Sequence, residues 1–540
     1  MILLALALPL LLAAACLLWT PGRWRALLPA ASLPALALAL LPAERSVLDW
    51  ALLGMTLGPD VSGRPFLLLL GVAWSACAWF ALGYIQRHAR SFWLFWLLTL
   101  TGINVVFLAQ DTAAFYCGYA VMSLAGYGLV LHERSDEARR AGRIYLMLAL
   151  FGEVLIVTGL FLLAARVGNA ELATLGERLA GAPEADPAAA FLFVGFAVKM
   201  GTLPLHVWLP MAHPVAPVPA SAILSGVIVK AGLFGWLRFL PPEAVGAAPP
   251  VLALIVLGLA GAFYAALFGL TQQRPKAILA WSTVSQMGLL LTLFAASLLG
   301  AVERELLLPV LGLWVLHHGL NKAALFLATG CAPTTSSWRL LLFALPALSL
   351  AGLPFTSGAL AKDVAKSGLD AAHMPYWVVT AFALTSVTTA LLLWHLLARL
   401  RQTDKPAAAH PAWILLTVAG LLLPWFWAAT IDQAAWPDMA KIWDGLWPLL
   451  LAATAILLWQ RAAIPALRLP EDEMLALGRR LRPVIEAMPK MPKPAPPAAE
   501  HVPSALISVL RRVEGRLTQL PIVGPFALAL LLTAWVIGAF

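Results

Sequence analysis

Charged residues are scarce in this chain, and long polar stretches are nearly absent. Only 12% of the 540 residues are Asp, Glu, Lys or Arg, whereas 61% are hydrophobic. Soluble domains need a charged surface, so this composition excludes a large water-soluble catalytic domain. Spans of about 20 residues joined by loops of about 10 would divide such a chain into roughly 16 to 18 membrane passes. We therefore expect an all-α polytopic membrane protein.

Cysteine is also rare, and the motifs that hold redox cofactors are missing. The four cysteines, Cys16, Cys77, Cys117 and Cys331, stand alone in apolar segments. No CxxC metal or cluster site, phosphate-binding glycine loop or dinucleotide fingerprint occurs. We expect no cofactor, no metal and no catalytic residue in this chain, so any electron transfer must reside in other chains. The protein alone is not a complete enzyme.

Apolar runs of transmembrane length fill most of the sequence. About 16 helices are predicted from the runs near 2–19, 26–42, 66–86, 91–109, 111–131, 143–165, 189–209, 219–240, 249–270, 277–299, 307–330, 338–369, 376–398, 411–431, 446–464 and 521–540. Basic loops such as 134–143 alternate with acidic ones such as 171–186. Cytoplasmic loops collect Lys and Arg, so we expect a multi-pass protein of the cell membrane with both termini on the non-cytoplasmic side. We attribute the net charge of +9 to basic cytoplasmic loops and not to a surface that binds nucleic acid.

Glycine and proline interrupt two apolar segments, GFAVKMGTLPLHVWLPMAH (195–213) and LAGLPFTSGALAKDVAK (350–366). In secondary transporters, broken helices at corresponding places of two repeats mark the transport site. A lysine lies beside each break, and Lys199 and Lys362 are 362 − 199 = 163 residues apart, or about five spans. An odd number of spans inverts the second copy in the membrane, so two inverted five-helix repeats are predicted, each with a broken helix.

The predicted organisation has six parts. They are N-terminal transmembrane helices (1–90), a first inverted repeat (91–240), a second inverted repeat (249–401), C-terminal transmembrane helices (411–464), an amphipathic, basic and proline-rich cytoplasmic segment (465–520) and a last transmembrane helix (521–540). Segment 465–520 is predicted either as a lateral helix at the membrane surface or as a solvated connector.

Several ionisable side chains fall inside the apolar runs, where each costs several kcal/mol, so each is a functional hypothesis. The predicted proton-translocation residues are Glu153, Lys199, His206, Lys230, His317, His318, Lys322 and Lys362. Buried Lys and Glu side chains can trade protons, as a proton path requires. His206 has the alternative role of satisfying backbone groups at the break, and His395 is interpreted as structural. Asp363 and Lys366 are either a local ion pair at a helix end or independent groups.

Four motifs resemble one family. The segment 199–241, KMGTLPLHVWLPMAHPVAPVPASAILSGVIVKAGLFGWLRFLP, closely resembles the antiporter-like membrane subunits of respiratory complex I and its relatives. QQRPKAILAWSTVSQMG (272–288), HHGLNKAALFLATG (317–330) and GLPFTSGALAKD (352–363) are similar to further motifs of that family. The likeness covers roughly 90–400. The HPVAPVPAS wording is most similar to membrane-bound hydrogenases of the formate hydrogenlyase type.

The resemblance implies a proton-translocating subunit driven by redox chemistry in partner membrane and peripheral subunits of an oxidoreductase complex. Lys199 resembles the lysine of the first broken helix, Lys230 the connecting lysine, and Lys362 the terminal lysine. His317 or His318 with Lys322 resembles the second-repeat linker. The family glutamate on the fifth helix is replaced here by Ala120, beside Tyr119. Either Glu153 takes its place, which we favour, or the first half-channel is impaired.

Other functions are compatible with this sequence. The same fold serves in multisubunit cation/proton antiporters, which move protons or sodium, and in inorganic-carbon accumulation complexes. A non-pumping membrane anchor is a third class, for which Ala120 is the best evidence. The retained lysines argue against an anchor, because a mere anchor has no reason to keep several costly intramembrane charges.

Overall fold

The computed structural model consists almost entirely of helices. It describes residues 1–18, 22–51, 54–168, 171–179, 187–242, 248–331, 337–401, 409–433, 436–462 and 467–470. The predicted last transmembrane helix (521–540) and all but four residues of the predicted segment 465–520 lie outside these residues.

Nineteen α-helices are found in the described part of the chain. In order they are α1 (Ile2–Leu18), α2 (Leu33–Leu40), α3 (Arg64–Tyr84), α4 (Ala89–Leu108), α5 (Thr112–Val130), α6 (Asp136–Val167), α7 (Leu175–Leu179), α8 (Pro187–Met200), α9 (Trp208–Val215), α10 (Val218–Ile223), α11 (Lys230–Phe239), α12 (Ala248–Gly269), α13 (Pro275–Ala296), α14 (Ala301–Gly330), α15 (Ser337–Ala351), α16 (Ser357–Ala371), α17 (Tyr376–Leu400), α18 (Pro411–Thr430) and α19 (Met439–Ala462). Short 3₁₀ turns occur at Arg23–Ser32 and Leu172–Thr174, and a π-helix occurs at Leu224–Ile228.

Eleven of the described helical stretches are long and apolar enough to cross a membrane, and four apolar helices are shorter. The α10–π–α11 stretch counts as one such span, Val218–Phe239. The expected all-α polytopic architecture is thus confirmed. The count of about 16 spans and the inverted relation of the two repeats stay predictions.

A small β-hairpin is the exception to the helical pattern in the described residues. Strand β1 (Ser46–Leu48) pairs antiparallel with β2 (Met55–Leu57), with Ser46 opposite Leu57. The chain then continues into the loop that carries Asp60. Asp60 forms an ion pair with Arg238 near the end of α11, at 2.5 Å. This loop therefore fastens the N-terminal region to the end of α11.

Asp60 lies outside the membrane-spanning helices. Burial acts to raise its pKa, but the positive charge of Arg238 and hydrogen bonds from Arg238, the Gly63 amide and the Gln110 side chain outweigh burial. The pKa of Asp60 is therefore held below its usual value of 3.8.

Both interrupted segments are broken at a glycine with positive φ. Helix α8 ends at Met200, Gly201 has φ +69°, and α9 begins at Trp208. Helix α15 ends at Ala351, and Gly352 has φ +93°. Left-handed backbone of this kind is open to glycine at little cost. After the second break, the Thr356 hydroxyl caps the Ala359 amide of α16.

Helix α14 lies at the centre of the packing. It contacts α3, α10, α13, α16 and α18, and its most apolar window is completely buried. Gly226 of the π-helix and Gly319 of α14 bring their backbones close together: a Cβ on Gly319 would lie 2.8 Å from the Gly226 carbonyl oxygen. Only glycines allow this approach, which places the start of α11 beside the middle of α14.

Candidate functional site

The first broken helix carries Lys199 into a polar cluster. Lys199 lies in the last turn of α8 and is only 4% exposed. Its Nζ donates to the Ser123 hydroxyl (2.7 Å) and to the Tyr145 hydroxyl (3.3 Å). The ammonium also lies 5.7 Å from the ring centre of Tyr119. The side chains around Lys199 therefore come from α5 and α6, on the side that faces the break.

Glu153 reaches the same cluster from α6. The Glu153 carboxyl group lies close enough to Lys199 and Ser123 to interact with both, and its oxygen Oε1 has no hydrogen-bond partner among the described atoms. The Ser123 hydroxyl accepts from Lys199 and lies near the Glu153 carboxyl group. Ser123 lies one turn after Ala120 on α5, so the Ser123 hydroxyl and the Glu153 carboxyl of α6 lie near the position where the resemblance leads us to expect a glutamate.

A small cavity of about 10 Å³ adjoins Lys199, lined among others by Tyr119, Tyr145 and Trp208. Close packing of α6 on α8 forms one of its walls, because a Cβ on Gly152 would lie 3.1 Å from the Gly195 carbonyl oxygen. The cavity is about the size that one water molecule requires.

His206 lies in the stretch between α8 and α9 and is fully buried. Its ring packs against Trp281 (5.1 Å between ring centres) and Tyr264 (6.2 Å). The structure therefore places His206 at the break, next to α12 and α13.

Lys230 and Lys322 are both completely buried at the centre of the molecule. Lys230 Nζ donates to the Ser225 carbonyl (2.6 Å), and Lys322 Nζ donates to the Leu279 carbonyl (3.0 Å). The Ser225 and Thr283 hydroxyls are 2.7 Å apart, and Thr283 donates to the Leu279 carbonyl. These hydrogen bonds connect the surroundings of the two lysines through α13.

The π-helix Leu224–Ile228 explains why the Ser225 carbonyl is available. The Val229 amide bonds to the Leu224 carbonyl five residues earlier, at 3.2 Å, which widens the turn. Lys230 then bonds to the Ser225 carbonyl, also five residues earlier. Single π turns are common at functional sites, and this one turns a buried lysine towards α14.

His318 projects from α14 beside the central lysines and is fully buried. Neither of its ring nitrogens has a hydrogen-bond partner among the described atoms. Lys230, Lys322 and His317 are close enough to interact with it electrostatically. A neutral imidazole carries one donor and one acceptor, so His318 can take up or give a proton without breaking an existing hydrogen bond.

His317 connects the centre to the second break. Its Nδ1 lies 3.0 Å from the Ser357 hydroxyl, and Ser357 donates to the Gly420 carbonyl of α18 at 2.6 Å. The Asn321 amide donates to the same carbonyl at 3.1 Å. Because Ser357 is the first residue of α16, His317 contacts the helix that carries Lys362.

Lys362 is the corresponding lysine beside the second break. Its Nζ donates to the Ala351 carbonyl (2.9 Å) and to the Ser386 hydroxyl of α17 (2.6 Å). Ala351 is the last residue of α15, so the ammonium neutralises the negative end of that helix. A cavity of about 20 Å³ opens beside it.

A local ion pair between Asp363 and Lys366 is not what the structure shows. Each binds a residue of α19 instead: Lys441 Nζ lies 2.9 Å from Asp363, and Lys366 pairs with Asp444. The expectation considered only neighbours on one helix, whereas α19 offers opposite charges to both groups. His395 bonds to the Gln272 carbonyl at 2.8 Å, which fits its structural interpretation.

The sequence reasoning missed the hydroxyl and amide partners of the charged groups. They are Ser123, Ser225, Thr283, Asn321, Ser357 and Ser386. The available signal was their position inside long apolar runs. That signal is weak, because Ser and Thr often bond to the backbone of their own helix. In the described residues, no group of three or more His, Cys, Asp or Glu side chains is arranged to hold a metal.

A sequence model of the NADH:quinone oxidoreductase/Mrp antiporter transmembrane family matches residues 109–389. Hydrogenase-4 component B of Escherichia coli is 29% identical over 288 residues, which are 51% of this chain and 43% of that protein. NADH-quinone oxidoreductase subunit M of Pseudomonas aeruginosa is 30% identical over 319 residues, 54% of this chain and 61% of that protein. The chain therefore spans about half the length of these relatives.

Two solved structures share the fold. A chain of the membrane-bound sulfane sulfur reductase, an archaeal respiratory membrane complex, superposes with a TM-score of 0.69 at 19% identity and covers 84% of this chain and 99% of that one. A chain of the Mrp complex from Dietzia superposes with a TM-score of 0.64 at 20% identity, covering 85% and 95%. Both structural neighbours are subunits of multisubunit membrane complexes.

Proposed function

Because the chain belongs to the NADH:quinone oxidoreductase/Mrp antiporter transmembrane family, we propose that it is the proton-translocating subunit of a hydrogenase-like or complex I-like assembly in the plasma membrane. Partner subunits carry the redox cofactors and supply the driving force. The observation that carries the proposal is a set of buried ionisable groups in the apolar helices, which we interpret as one row across the molecule. The set contains Glu153, Lys199, His206, Lys230, His318, Lys322, His317 and Lys362.

Electrostatic coupling makes such a row suitable for moving protons. Two unit charges about 10 Å apart interact by about 1.7 kcal/mol at an effective dielectric constant of about 20. Neighbouring amines therefore resist being charged at the same time, and a proton that arrives on one favours release from the next. Lys230 and Lys322 each donate to a backbone carbonyl, and both ring nitrogens of His318 lack a hydrogen-bond partner among the described atoms.

Glu153 replaces the absent family glutamate in this proposal. When Glu153 is ionised it stabilises the ammonium of Lys199, and the Ser123 hydroxyl between them relays the proton. When Lys230 becomes charged, repulsion favours release from Lys199. This arrangement favours Glu153 as the replacement for the family glutamate over an impaired first half-channel. Without that role, Glu153 would be a buried carboxyl group with no function.

The two inverted repeats, 91–240 and 249–401, then form two half-channels that meet at α14. A lysine beside a glycine break in each supports this division. The basic loops, including 134–143 and 272–276, face the cytoplasm, and the loops before α17 and α19 face the other side. Protons enter from the basic side and leave from the acidic one.

The proposal is tested on the complex purified through a tag on this chain together with its native partners. The complex is reconstituted into proteoliposomes and energised by the electron donor that its redox subunits accept, and lumenal pH is followed with a dye. We expect Lys362→Ala to lower proton transfer by about tenfold or more. The matched control is Arg139→Gln, which removes a charge whose side chain is 65% exposed. Full proton transfer in Lys362→Ala would support the alternative that this chain is a non-pumping anchor of the complex. Proton transfer that follows a sodium gradient would indicate a cation/proton antiporter.

A further inference from the structure

Four charged side chains from α16 and α19 form two ion pairs beside Lys362, and each pair joins the two helices. Asp363 pairs with Lys441, and Lys366 pairs with Asp444. We call Asp363, Lys366, Lys441 and Asp444 the mouth cluster. All four line the same cavity of about 20 Å³ that contains Lys362 and Ser386. The cluster is therefore continuous with the surroundings of the terminal lysine.

Exposure increases stepwise through the mouth cluster. The exposed fraction of the side chain is 14% for Lys366, 25% for Asp363, 37% for Lys441 and 51% for Asp444. Lys362 itself is only 7% exposed. Asp444 is thus the outermost ionisable group of a cavity whose innermost one is Lys362.

The cluster lies close to the end of α16 and to the start of α19. Asp444 lies five residues after the start of α19, or about 7.5 Å along the axis. Lys366 lies five residues before the end of α16. The segments that follow α16 and precede α19 belong to the acidic side of the charge alternation, opposite the basic loops.

We propose that Asp444, held at the cavity mouth by Lys366, is the group through which protons leave Lys362 for the non-cytoplasmic surface. This inference rests on the proposed function. The N–H bond of the Lys362 ammonium breaks and an O–H bond forms on the Asp444 carboxylate, through a water that a cavity of this size can hold. The O–H bond then breaks to deliver the proton to bulk water, which restores the carboxylate. One proton moves and no electron is transferred.

Lys366 has two effects in this step. Its ammonium pairs with the Asp444 carboxylate and holds it at the cavity mouth. It also lies one turn after Lys362 on α16, so its charge repels the Lys362 ammonium and favours release. The second pair, Asp363 with Lys441, bridges the same two helices and narrows the mouth between transfers.

The mouth is tested first by thiol labelling, which needs no proton current. Ala383 on α17 lines the cavity and carries no charge. The variant Ala383→Cys therefore reports whether a reagent can enter the cavity. Membrane-impermeant thiosulfonates, one anionic and one cationic, are applied to intact cells that contain the full complex. The parent chain gives the background from its own cysteines, three of which are buried.

We expect slow labelling of the Ala383→Cys chain by both reagents, and labelling about twofold to fivefold faster when Asp444→Asn weakens its pair. Exchanging the two charges, Lys366→Asp with Asp444→Lys, should restore slow labelling. Equal rates in all three chains would overturn the proposed mouth.

Proton release is then measured in the reconstituted complex. Asp444→Asn should lower proton transfer about tenfold, and Asp444→Glu should retain most of it because the carboxylate remains. Asp438→Asn is the matched control: Asp438 caps the Lys441 amide at the start of the same helix, outside the cavity. If Lys362→Ala stops proton transfer and Asp444→Asn does not, this inference fails alone. If neither variant changes it, the proposed function fails as well.

Discussion

Lys199 and Lys362 occupy comparable places in the two halves of the molecule but are held in different ways. Each lies beside a glycine that breaks a helix, and each is buried. Lys199 precedes its break, donates to two hydroxyls and interacts electrostatically with Glu153. Lys362 follows its break and donates to the end of a helix and to one hydroxyl.

The difference indicates separate ways to stabilise a buried ammonium. In the first half, a carboxyl group within the membrane supplies the opposite charge. In the second half, the partial negative charge of the α15 terminus does so, while the nearby carboxylates of Asp363 and Asp444 are paired with other lysines. We infer that the first half loads a proton against Glu153 and the second half releases one towards α19.

We expect the largest loss of proton transfer from a substitution at Gly319, where α14 approaches the π-helix closely. Gly319→Val would place its Cβ 2.8 Å from the Gly226 carbonyl oxygen and push α14 away from the π-helix. Overpacking of this kind costs about 1–3 kcal/mol, and both halves should lose proton transfer. Thermal unfolding and proton transfer of the purified complex are measured beside Gly83→Val, where a Cβ meets open space. A Gly319→Val complex as stable and active as the control would contradict the close approach.

Removing the carboxylate of the first half should have the next largest effect. Glu153→Gln keeps the side-chain size but cannot balance the Lys199 ammonium, so proton transfer should fall about tenfold. The matched control is Glu177→Gln, at an exposed position of α7. Unchanged proton transfer in Glu153→Gln would show that Glu153 does not replace the family glutamate.

A pair of hydroxyl deletions sharpens the comparison of the two lysines. Ser123→Ala removes a hydroxyl that bonds to Lys199 and lies near Glu153, and leaves Lys199 only its longer bond to Tyr145 (3.3 Å). Ser386→Ala leaves Lys362 its bond to the Ala351 carbonyl (2.9 Å), which is shorter than the bond left to Lys199. A hydrogen bond to a charged group contributes about 1.5–3 kcal/mol. We therefore expect the initial rate of proton transfer to fall at least several-fold more in Ser123→Ala than in Ser386→Ala. Equal losses would mean that the two lysines are held alike.

The smallest effect is expected from the ion pair that fastens the first half to the N-terminal hairpin. The pKa of Asp60 is lowered in the folded protein, so its pairing with Arg238 stabilises the fold above the usual value of 3.8 and is lost as pH falls through the folded value. Asp60→Asn should lower the unfolding temperature near neutral pH, and the difference from the parent should shrink below about pH 4. Thermal unfolding at several pH values measures this, and a constant difference would contradict the assignment.

Much of the scaffold could be predicted from the sequence because its signals are local. Glycine and proline within apolar runs predicted both breaks, and Lys199 and Lys362 stood out because charges in such runs are costly. The π-helix at Leu224–Ile228 could not be predicted, since it depends on the fit of α10 against α14 and no residue type marks it. The pairing of Asp363 with Lys441 was missed for a similar reason: 78 residues separate them in the chain (441 − 363), and only tertiary packing brings them together.

The central claim is that one row of buried groups carries protons between the two halves, and Lys230 tests it most directly. Lys230 is completely buried, donates to the Ser225 carbonyl, and lies close enough to Lys322 and His318 to interact with both electrostatically. Lys230→Met removes the charge and keeps a side chain of similar length. In the reconstituted complex with its native partners, we expect electron transfer and assembly to persist while proton transfer falls about tenfold or more. Proton transfer equal to that of the parent complex would contradict the account.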